Sequence, residues 1–474
     1  MSYEAVIGLE THVQLKTQSK MWCGCANQFG APPNSHVCPV CLGLPGVLPV
    51  ANEEALRLTA LTGLLLNGSV EPYAKFDRKN YFYPDMPKNF QITQFDKPSA
   101  VGGFVEFERH DGGLARVRIT RAHLEEDVGK NFHFERHSGV DFNRAGVPLL
   151  EIVSEPEITG AQMAYDYLHA LVEILRYGGI SDCDMEKGEV RCDVNISVRP
   201  QGTKELGKKI EIKNMNSFSG VRRALEHEIP RQIEVLQKGG ALTQETRRWD
   251  EAGGMTESMR SKEMAHDYRY FPEPDLMPLA PTEAWLAEVA RRVVELPLAK
   301  KQRLMRQYQL PAPDAQTFVW DRPLGDYFEH IAPRSKNPKA AANWIINNLR
   351  ARLAASGAAL AELKFKPEYI LDLMELVESG RISSSLAQQV FAEMFDGGQA
   401  PGVIVEKKGW VQVSDAGAIE ALCDQALAAH PGPVADYKAG KAAALNFLKG
   451  QVMKLSKGNA NPNLAGEILE RKLK

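Results

Sequence analysis

The sequence has no glycine-rich loop ending in Gly-Lys-Ser or Gly-Lys-Thr, so a nucleotide held here needs a cradle other than a P-loop. It has no amidase-like Ser-Gly-Ser stretch and no cysteine with a fitting histidine partner, which argues against the chain releasing ammonia from an amide by itself. No apolar run reaches the length of a bilayer span, so no membrane partner is expected. Met1-Ser2-Tyr3-Glu4 lacks a basic n-region and no long apolar stretch follows, so no export signal is expected and the expected compartment is the cytoplasm. The formal net charge is only −3 over 474 residues. That leaves no global field for nucleic acid, and any RNA contact must come from a local patch. No internal repeat or low-complexity tract stands out.

Among what is present, seven cysteines without an export signal suggest a reducing cytosol, where clustered cysteines bind metal more often than they pair. Cys23-x-Cys25 and Cys38-x-x-Cys41 are separated by twelve residues and lie among Gly and Pro. Four thiolates on two tight turns suit tetrahedral zinc at about 2.3 Å per bond. Such a closed shell leaves no open position, so it reads as a structural staple; the alternative is unpaired or disulfide cysteines. Cys183, Cys192 and Cys423 stand apart and are expected to be small buried hydrophobes.

Carboxylates recur inside segments that otherwise read as β-strands. In Val190 to Arg199, Val190, Cys192, Val194, Ile196 and Val198 take one face, and Arg191, Asp193, Asn195, Ser197 and Arg199 the other. Gly8 to Val13 puts Glu10 and His12 on one side, and Lys209 to Lys213 puts Glu211 between two lysines. Glu151 is embedded in the apolar run Pro148 to Val153. Asp and Asn are poor strand formers, and a buried carboxylate is costly without a cation or donors. The solvated face of an antiparallel sheet gives the same alternation, but usually carries Thr, Lys and Arg. Ile119 to Lys130 packs Glu125, Glu126 and Asp127 before a turn, with Glu125 sharing a face with Arg121 and His123. Adjacent acids raise one another's pKa unless a cation is present, which favours metal; an acidic turn in water is the alternative. Asp77 to Asp85 and Asp267 to Asp275 mix basic and aromatic residues, as stacking on a nucleotide or RNA end requires and as ordinary packing also produces.

The 474 residues accommodate two to four domains. Residues 1–292 read as mixed α and β, with helices expected over Gly160 to Tyr177 and over Ser219 to Lys238, the latter bent or broken at Pro230. Strands and helices do not alternate in βαβ rhythm, so the expected class is α+β rather than a doubly wound sheet. Helical periodicity dominates residues 293–405, and residues 406–474 read as a small helical module. Within that module Tyr437 to Lys474 holds eight basic residues and two acids, a formal charge of +6.

Taken together, these segments resemble the GatB family, the B subunits of the tRNA-dependent aspartyl/glutamyl amidotransferase. The carriers are Ile7 to His12, Asp77 to Asp85, His123 to Lys130, Pro148 to Pro156, Arg191 to Ser197, Glu211 to Ser217 and Asp267 to Asp275. Lys449 to Lys454 with Gly458 to Pro462 looks like the tail shared with YqeY-type proteins. The resemblance implies a mainly antiparallel cradle-shaped catalytic domain, an all-helical domain and a YqeY-like tail. It implies a heterotrimer with an amidase A subunit and a small C subunit. It implies ATP, Mg2+ and, in part of the family, zinc, with Glu-tRNA(Gln) and/or Asp-tRNA(Asn) as substrate. On that footing Glu125, Glu126, Glu151 and His12 are expected around a divalent ion, although Mg2+ prefers oxygen ligands and the role of His12 stays open. Glu10, Asp193 and Glu211 are expected nearby, as further ligands or as orienters of ammonia. Arg191 and Lys213 are candidates to hold phosphate or the tRNA carboxylate, and Asn195 and Asn214 to fix hydrogen-bond geometry. Lys438, Lys441, Lys449, Lys454 and Lys457 are the candidate tRNA-holding residues of the tail. Two other classes compete: a non-catalytic zinc-stapled tRNA scaffold, and a free-standing carboxylate–amine ligase acting on a small acid.

Overall fold

The computed structural model describes residues 2–213, 215, 217–259, 268–410, 416–456 and 460–473. Asn214, Lys457 and Asp267 therefore lie outside the described residues. The strands, in chain order, are β1 (Tyr3–Gln14), β2 (Ser69–Val70), β3 (Asp77–Asn80), β4 (Phe90–Thr93), β5 (Ala100–Val101), β6 (Phe104–Glu108), β7 (Leu114–Glu126), β8 (Lys130–His133), β9 (Ser138–Asp141), β10 (Pro148–Ser154), β11 (Val190–Pro200), β12 (Ile210–Lys213), β13 (Glu245–Asp250), β14 (Met255–Ser258) and β15 (Phe271–Pro272). Among the described residues the main sheet runs β14-β13-β12-β11-β1-β10-β7-β5-β2, with β6 hydrogen-bonded to β7. Two smaller sheets, β15-β3-β4 and β8-β9, accompany it. Every pair in the main sheet is antiparallel except β12 with β13. That exception follows from connectivity: the helix α3 (Phe218–Gln237) joins the two strands, and parallel neighbours need such a crossover. The class is α+β, as the sequence leads one to expect.

Alternation along β1, β10 and β11 sends one set of side chains into the core. Ile7, Leu9, Leu150, Ile152, Val194 and Ile196 are buried in one cluster with Tyr167, Leu168 and Leu171 of the helix α2 (Ala161–Tyr177) and Val221, Ala224 and Leu225 of α3. Each such side chain contributes about 1.5–3 kcal/mol on leaving water. The Ser217 hydroxyl accepts from the Gly220 N–H and caps α3. Pro230 neither breaks nor ends that helix. Its ring is on the exposed side, four residues after exposed Glu226, so the carbonyl it frees faces water. Cys183, Cys192 and Cys423 are buried, with Cys192 on the apolar face of β11.

The chain divides into two compact units, Met1–Ala299 and Lys300–Lys474. The regular elements among the described residues of the second are all helices, and its buried side chains form two separate clusters. One runs from Leu304 to Val405 around the stacked Phe318 and Phe328 rings, 4.5 Å apart. The other runs from Ile419 to Leu473. Within the region of expected helical periodicity, the helix that starts at Pro338 passes through a π-helical stretch, Trp344–Leu349, in which Ile345 and Leu349 stay buried.

Candidate active site

The face of the main sheet opposite α2 and α3 carries the polar side chains, and register decides which of them meet. His123 of β7 pairs with Glu151 of β10, Glu151 with His12 of β1, and His12 with Arg191 of β11. Side chains directly opposite on neighbouring antiparallel strands share a face with Cβ atoms about 4.5–5.5 Å apart. A single row, His123-Glu151-His12-Arg191, therefore crosses four strands. Glu10 opposite Asp193, and Asn195 opposite Glu211, continue the polar face on the adjoining strands.

Glu151 Oε2 lies 3.3 Å from His12 Nε2 and 3.4 Å from His123 Nε2. Ligand atoms of His12, Glu125 and Glu151 all fall within 4.8 Å of one another. Thr93 Oγ1 donates to Glu125 Oε2 at 3.2 Å. Burial opposes ionisation of Glu151, but the imidazoles of His123 and His12 and the Lys79 ammonium more than offset it and hold its pKa low. The two histidines divide. Burial works against the charged form of His12, yet the hydrogen bond to Glu151 and the charges of Glu151, Glu125 and Asp193 win, so its pKa rises. Burial prevails at His123 and keeps its pKa below the ordinary value.

Around this group, Asn195 Nδ2 donates to Glu10 Oε1 at 2.7 Å. Burial and the neighbouring Glu151 nevertheless raise the Glu10 pKa. Lys213 Nζ lies 2.5 Å from Asp193 Oδ2 and 2.9 Å from Glu211 Oε1, and Thr246 Oγ1 donates to Glu211 Oε2 at 2.9 Å. Arg191 donates to Asp127 Oδ1 at 2.9 Å. A cavity of about 200 Å³ opens beside Glu10, lined by Gly8, Ser154, Pro156, Asn195, Leu206 and Lys209 among others.

Glu126 does not join the group expected to surround a divalent ion. Adjacent strand residues point to opposite faces, so Glu125 and Glu126 part company. Lys88 Nζ donates to both Glu126 oxygens at 2.6 and 2.5 Å, and the Ile92 N–H donates to Oε1 at 2.9 Å. Glu126 is thus neutralised within the protein.

Four residues at or near the site have no individual role in the expectations from sequence, although Asp127 reads there as one of three adjacent acids. His123 is one; parity placed it on the face of Glu125 without giving it a role. Asp127 is another: buried, it receives Gln14 Nε2 at 2.9 Å and Arg191, with Arg144 Nε at 3.5 Å. The third is Lys79 of β3. Burial opposes its charge, but Glu125, Tyr270, Tyr268 and Glu151 raise its pKa. Lys88 is the fourth. Both lysines stand in or beside the Asp77 to Asp85 segment, which reads as a basic and aromatic stretch without a role for either lysine.

Two donor sets fit metals. The Sγ atoms of Cys23, Cys25, Cys38 and Cys41 lie within 4.8 Å of one another, and Cys38 and Cys41 are 3.9 Å apart. Tetrahedral zinc with bonds of about 2.3 Å sets its sulfurs roughly 3.8 Å apart. A hydrogen bond with Cys23, the Cys38 N–H and the nearby Lys20 charge draw the Cys41 thiol down to about 4, against the effect of burial. Glu125 and Glu151 offer the hard oxygens that Mg2+ takes, with His12 as a third donor. Asn195 Oδ1 and His123 Nδ1 are buried without a hydrogen-bond partner among the described residues.

In the tail, Lys441 pairs with Asp436 at 2.9 Å. Lys472 pairs with Asp424 and Glu420, and Arg471 with Glu420. Lys438, Lys449 and Lys454 have no ion-pair partner among the described residues. Part of the local positive charge is therefore cancelled by acids that lie earlier in the chain.

The fold and this face define a class: a mixed-sheet body carrying a carboxylate–histidine centre and a cysteine cluster, followed by a helical C-terminal unit. Residues 5–287 match the GatB/GatE catalytic domain, and residues 326–473 match the GatB domain of YqeY type. The chain is 53% identical over 476 residues, 99% of each protein, to the B subunit of the aspartyl/glutamyl-tRNA(Asn/Gln) amidotransferase of Carboxydothermus hydrogenoformans. It is 50% identical over 485 residues to the protein of that name from Methylacidiphilum infernorum, covering 100% of this chain and 99% of the other. It is 49% identical over 475 residues to that of Persephonella marina, with 100% of both chains covered. The chain belongs to the GatB family. No helix among its described residues is long and apolar enough to cross a membrane.

Proposed function

We propose that the chain is the transamidating subunit of a cytoplasmic tRNA amidotransferase. It uses ATP to phosphorylate the side-chain carboxylate of Glu-tRNA(Gln) and/or Asp-tRNA(Asn), and then amidates the acyl phosphate. An amidase A subunit supplies the ammonia from glutamine, and a small C subunit completes the heterotrimer. The relatives' names and the lack of amidase residues in the sequence support this division of labour. The observation that carries the chemistry is the meeting of His12, Glu125 and Glu151 beside Lys79 and Arg191.

Ammonia does not expel oxide from a carboxylate at useful rates, whereas phosphate is a competent leaving group. Bringing a γ-phosphate to another anion requires charge neutralisation, which a divalent ion supplies when bound. Glu125 and Glu151 would hold that ion, with His12 as third donor. Lys79 and Arg191 present positive charge to the incoming anions, and Asp127 fixes the Arg191 guanidinium. The cavity beside Glu10 is the space assigned to the nucleoside, with Pro156 and Leu206 as its apolar walls. Glu10, oriented by Asn195 and with its pKa raised by burial, accepts the proton that ammonia sheds on forming the amide. Asp193, Glu211 and Lys213 brace one another beside it. Four thiolates around zinc would staple the loop that follows β1, and the lysines of the tail would hold the tRNA body through phosphates.

Glu125→Gln and Glu151→Gln test the assignment separately, assayed with supplied ammonia. Each is expected to lower kcat about 10²- to 10³-fold, the usual cost of removing one group that stabilises transition-state charge. Unaltered turnover in either variant removes that residue from the site. If both are unaltered, the non-catalytic tRNA holder remains. ATP cleavage that does not respond to mischarged tRNA would instead favour a ligase acting on a small acid.

A further inference from the structure

The reaction centre has an aromatic rim in which two phenylalanine rings are left in solvent beside two half-buried tyrosines. Phe82 is 71% exposed and Phe95 49%. Phe95 stacks on Tyr270 with centroids 4.1 Å apart and planes 11° apart, and Tyr268 meets Tyr270 edge-on at 6.1 Å. Aromatic rings usually bury their faces, so a stacked pair left open costs hydrophobic free energy unless something covers it. Cations stand among the rings: Lys79 Nζ is 5.2 Å from the Tyr268 centroid, and the Arg269 guanidinium is 6.0 Å from that of Phe82. Arg269 holds a left-handed backbone, φ 45°, which a non-glycine residue adopts only at a cost. Asn80 Nδ2 braces that turn by donating to the carbonyl oxygens of Tyr268 and Arg269 at 3.2 and 2.9 Å.

The rim adjoins the chemistry. Lys79 and Tyr270 both feel the charges of Glu125 and Glu151. Taking charged tRNA as the substrate, as proposed above, the nucleotide carrying the amino acid must come to rest within one residue's reach of those carboxylates. A single-stranded RNA end offers unpaired base faces and phosphates together, and stacked rings interleaved with cations complement both. We infer that Phe95, Tyr270, Tyr268 and Phe82, with Lys79 and Arg269, form a stacking shelf for the unpaired 3′ end of the charged tRNA. The nucleoside of ATP is assigned above to the cavity beside Glu10, so the KM for ATP separates the two ligands.

The test uses the full chain and a tRNA with 2-aminopurine in place of its terminal adenine. Anisotropy follows binding of the whole tRNA, and quenching of 2-aminopurine fluorescence follows stacking of the last base. The wild-type chain should quench on binding. Phe95→Ala and Phe82→Ala, both at exposed positions, should lose most of the quenching and weaken binding about 5- to 150-fold, from the ~1–3 kcal/mol that one stacked base contributes. Phe95→Trp should restore both, and the KM for ATP should not move. Binding without quenching in the wild-type chain overturns the shelf, as does quenching that survives both alanine variants. Alanine variants that lose a protein partner but keep the quenching assign the rim to that partner and also overturn it. Quenching without any amide formation by the assembled complex would sink the proposed function and leave the shelf standing.

Discussion

The two donor clusters of the N-terminal unit make an instructive contrast. The four cysteines come from nineteen consecutive residues and converge through local turns. His12, Glu125 and Glu151 come from three strands, with 138 residues between the first and the last, and converge only because β1, β10 and β7 pair in one register. The first cluster closes on itself with four soft ligands. The second leaves two carboxylates and an imidazole beside the cations Lys79 and Arg191. A closed soft shell is a staple, and an open hard one is a place for chemistry. The contrast predicts that perturbing the first will move stability and perturbing the second will move turnover.

Two neighbouring glutamates sharpen it most. Glu151→Gln should cost the 10²- to 10³-fold in kcat given above. Glu126→Gln, one residue from Glu125 but on the other face, should do the reverse. It strands the Lys88 ammonium in the protein interior, and breaking a buried pair costs roughly 3–5 kcal/mol, read as a lower midpoint in denaturant. Equal loss of turnover with equal stability in the two variants would erase the distinction between the faces.

Next comes metal removal. Stripping zinc with a chelator should lower unfolding free energy by about 4 kcal/mol if the metal stands near 1,000 times its Kd. Metal content before and after fixes the stoichiometry, expected at one per chain from one four-thiol cluster. Chelated protein that melts unchanged while losing only turnover would reverse the assignment of the two clusters. Asp127→Asn is weaker still. It leaves Arg191 without its anchor, so the KM for charged tRNA or ATP should rise more than kcat falls, with about 1–3 kcal/mol lost from the hydrogen bonds around Asp127.

The same contrast explains what was legible in the sequence. Cysteine spacing needs no knowledge of pairing. The faces of β1, β11 and β12 were legible too, because period-two alternation fixes a face whatever the partner, whereas the apolar run of β10 showed only that it holds an acid. Register is a property of two strands, so the row His123-Glu151-His12-Arg191 was not written in any single segment. Resemblance to a family supplied the grouping, and it carried Glu126 along with Glu125 although parity separates them. Of the two outcomes expected at Pro230, a break is absent, since α3 runs through it from Phe218 to Gln237. The tail's charge was over-read. Counting from Tyr437 left out Glu420, Asp424 and Asp436, which folding brings against Lys441, Lys472 and Arg471.

Pairing in the tail yields the smallest predicted effect. Lysines already paired release few counterions on meeting phosphate, so they should contribute little to tRNA binding. Lys441→Gln should leave the KM for charged tRNA almost unchanged. Lys438, Lys449 and Lys454 are free to meet phosphates, and replacing all three with Gln should weaken binding modestly and flatten its dependence on log salt by about 0.7–0.9 per lost contact. Glutamine suits Lys449 better than alanine, because the lysine's aliphatic stem lies over Gly466, where an added Cβ would stand 2.3 Å from Lys449 Cε. An equal change in slope from Lys441→Gln alone would mean that the Asp436 pair opens on binding. An unchanged slope in the triple variant would leave the tail as a solvated helical face.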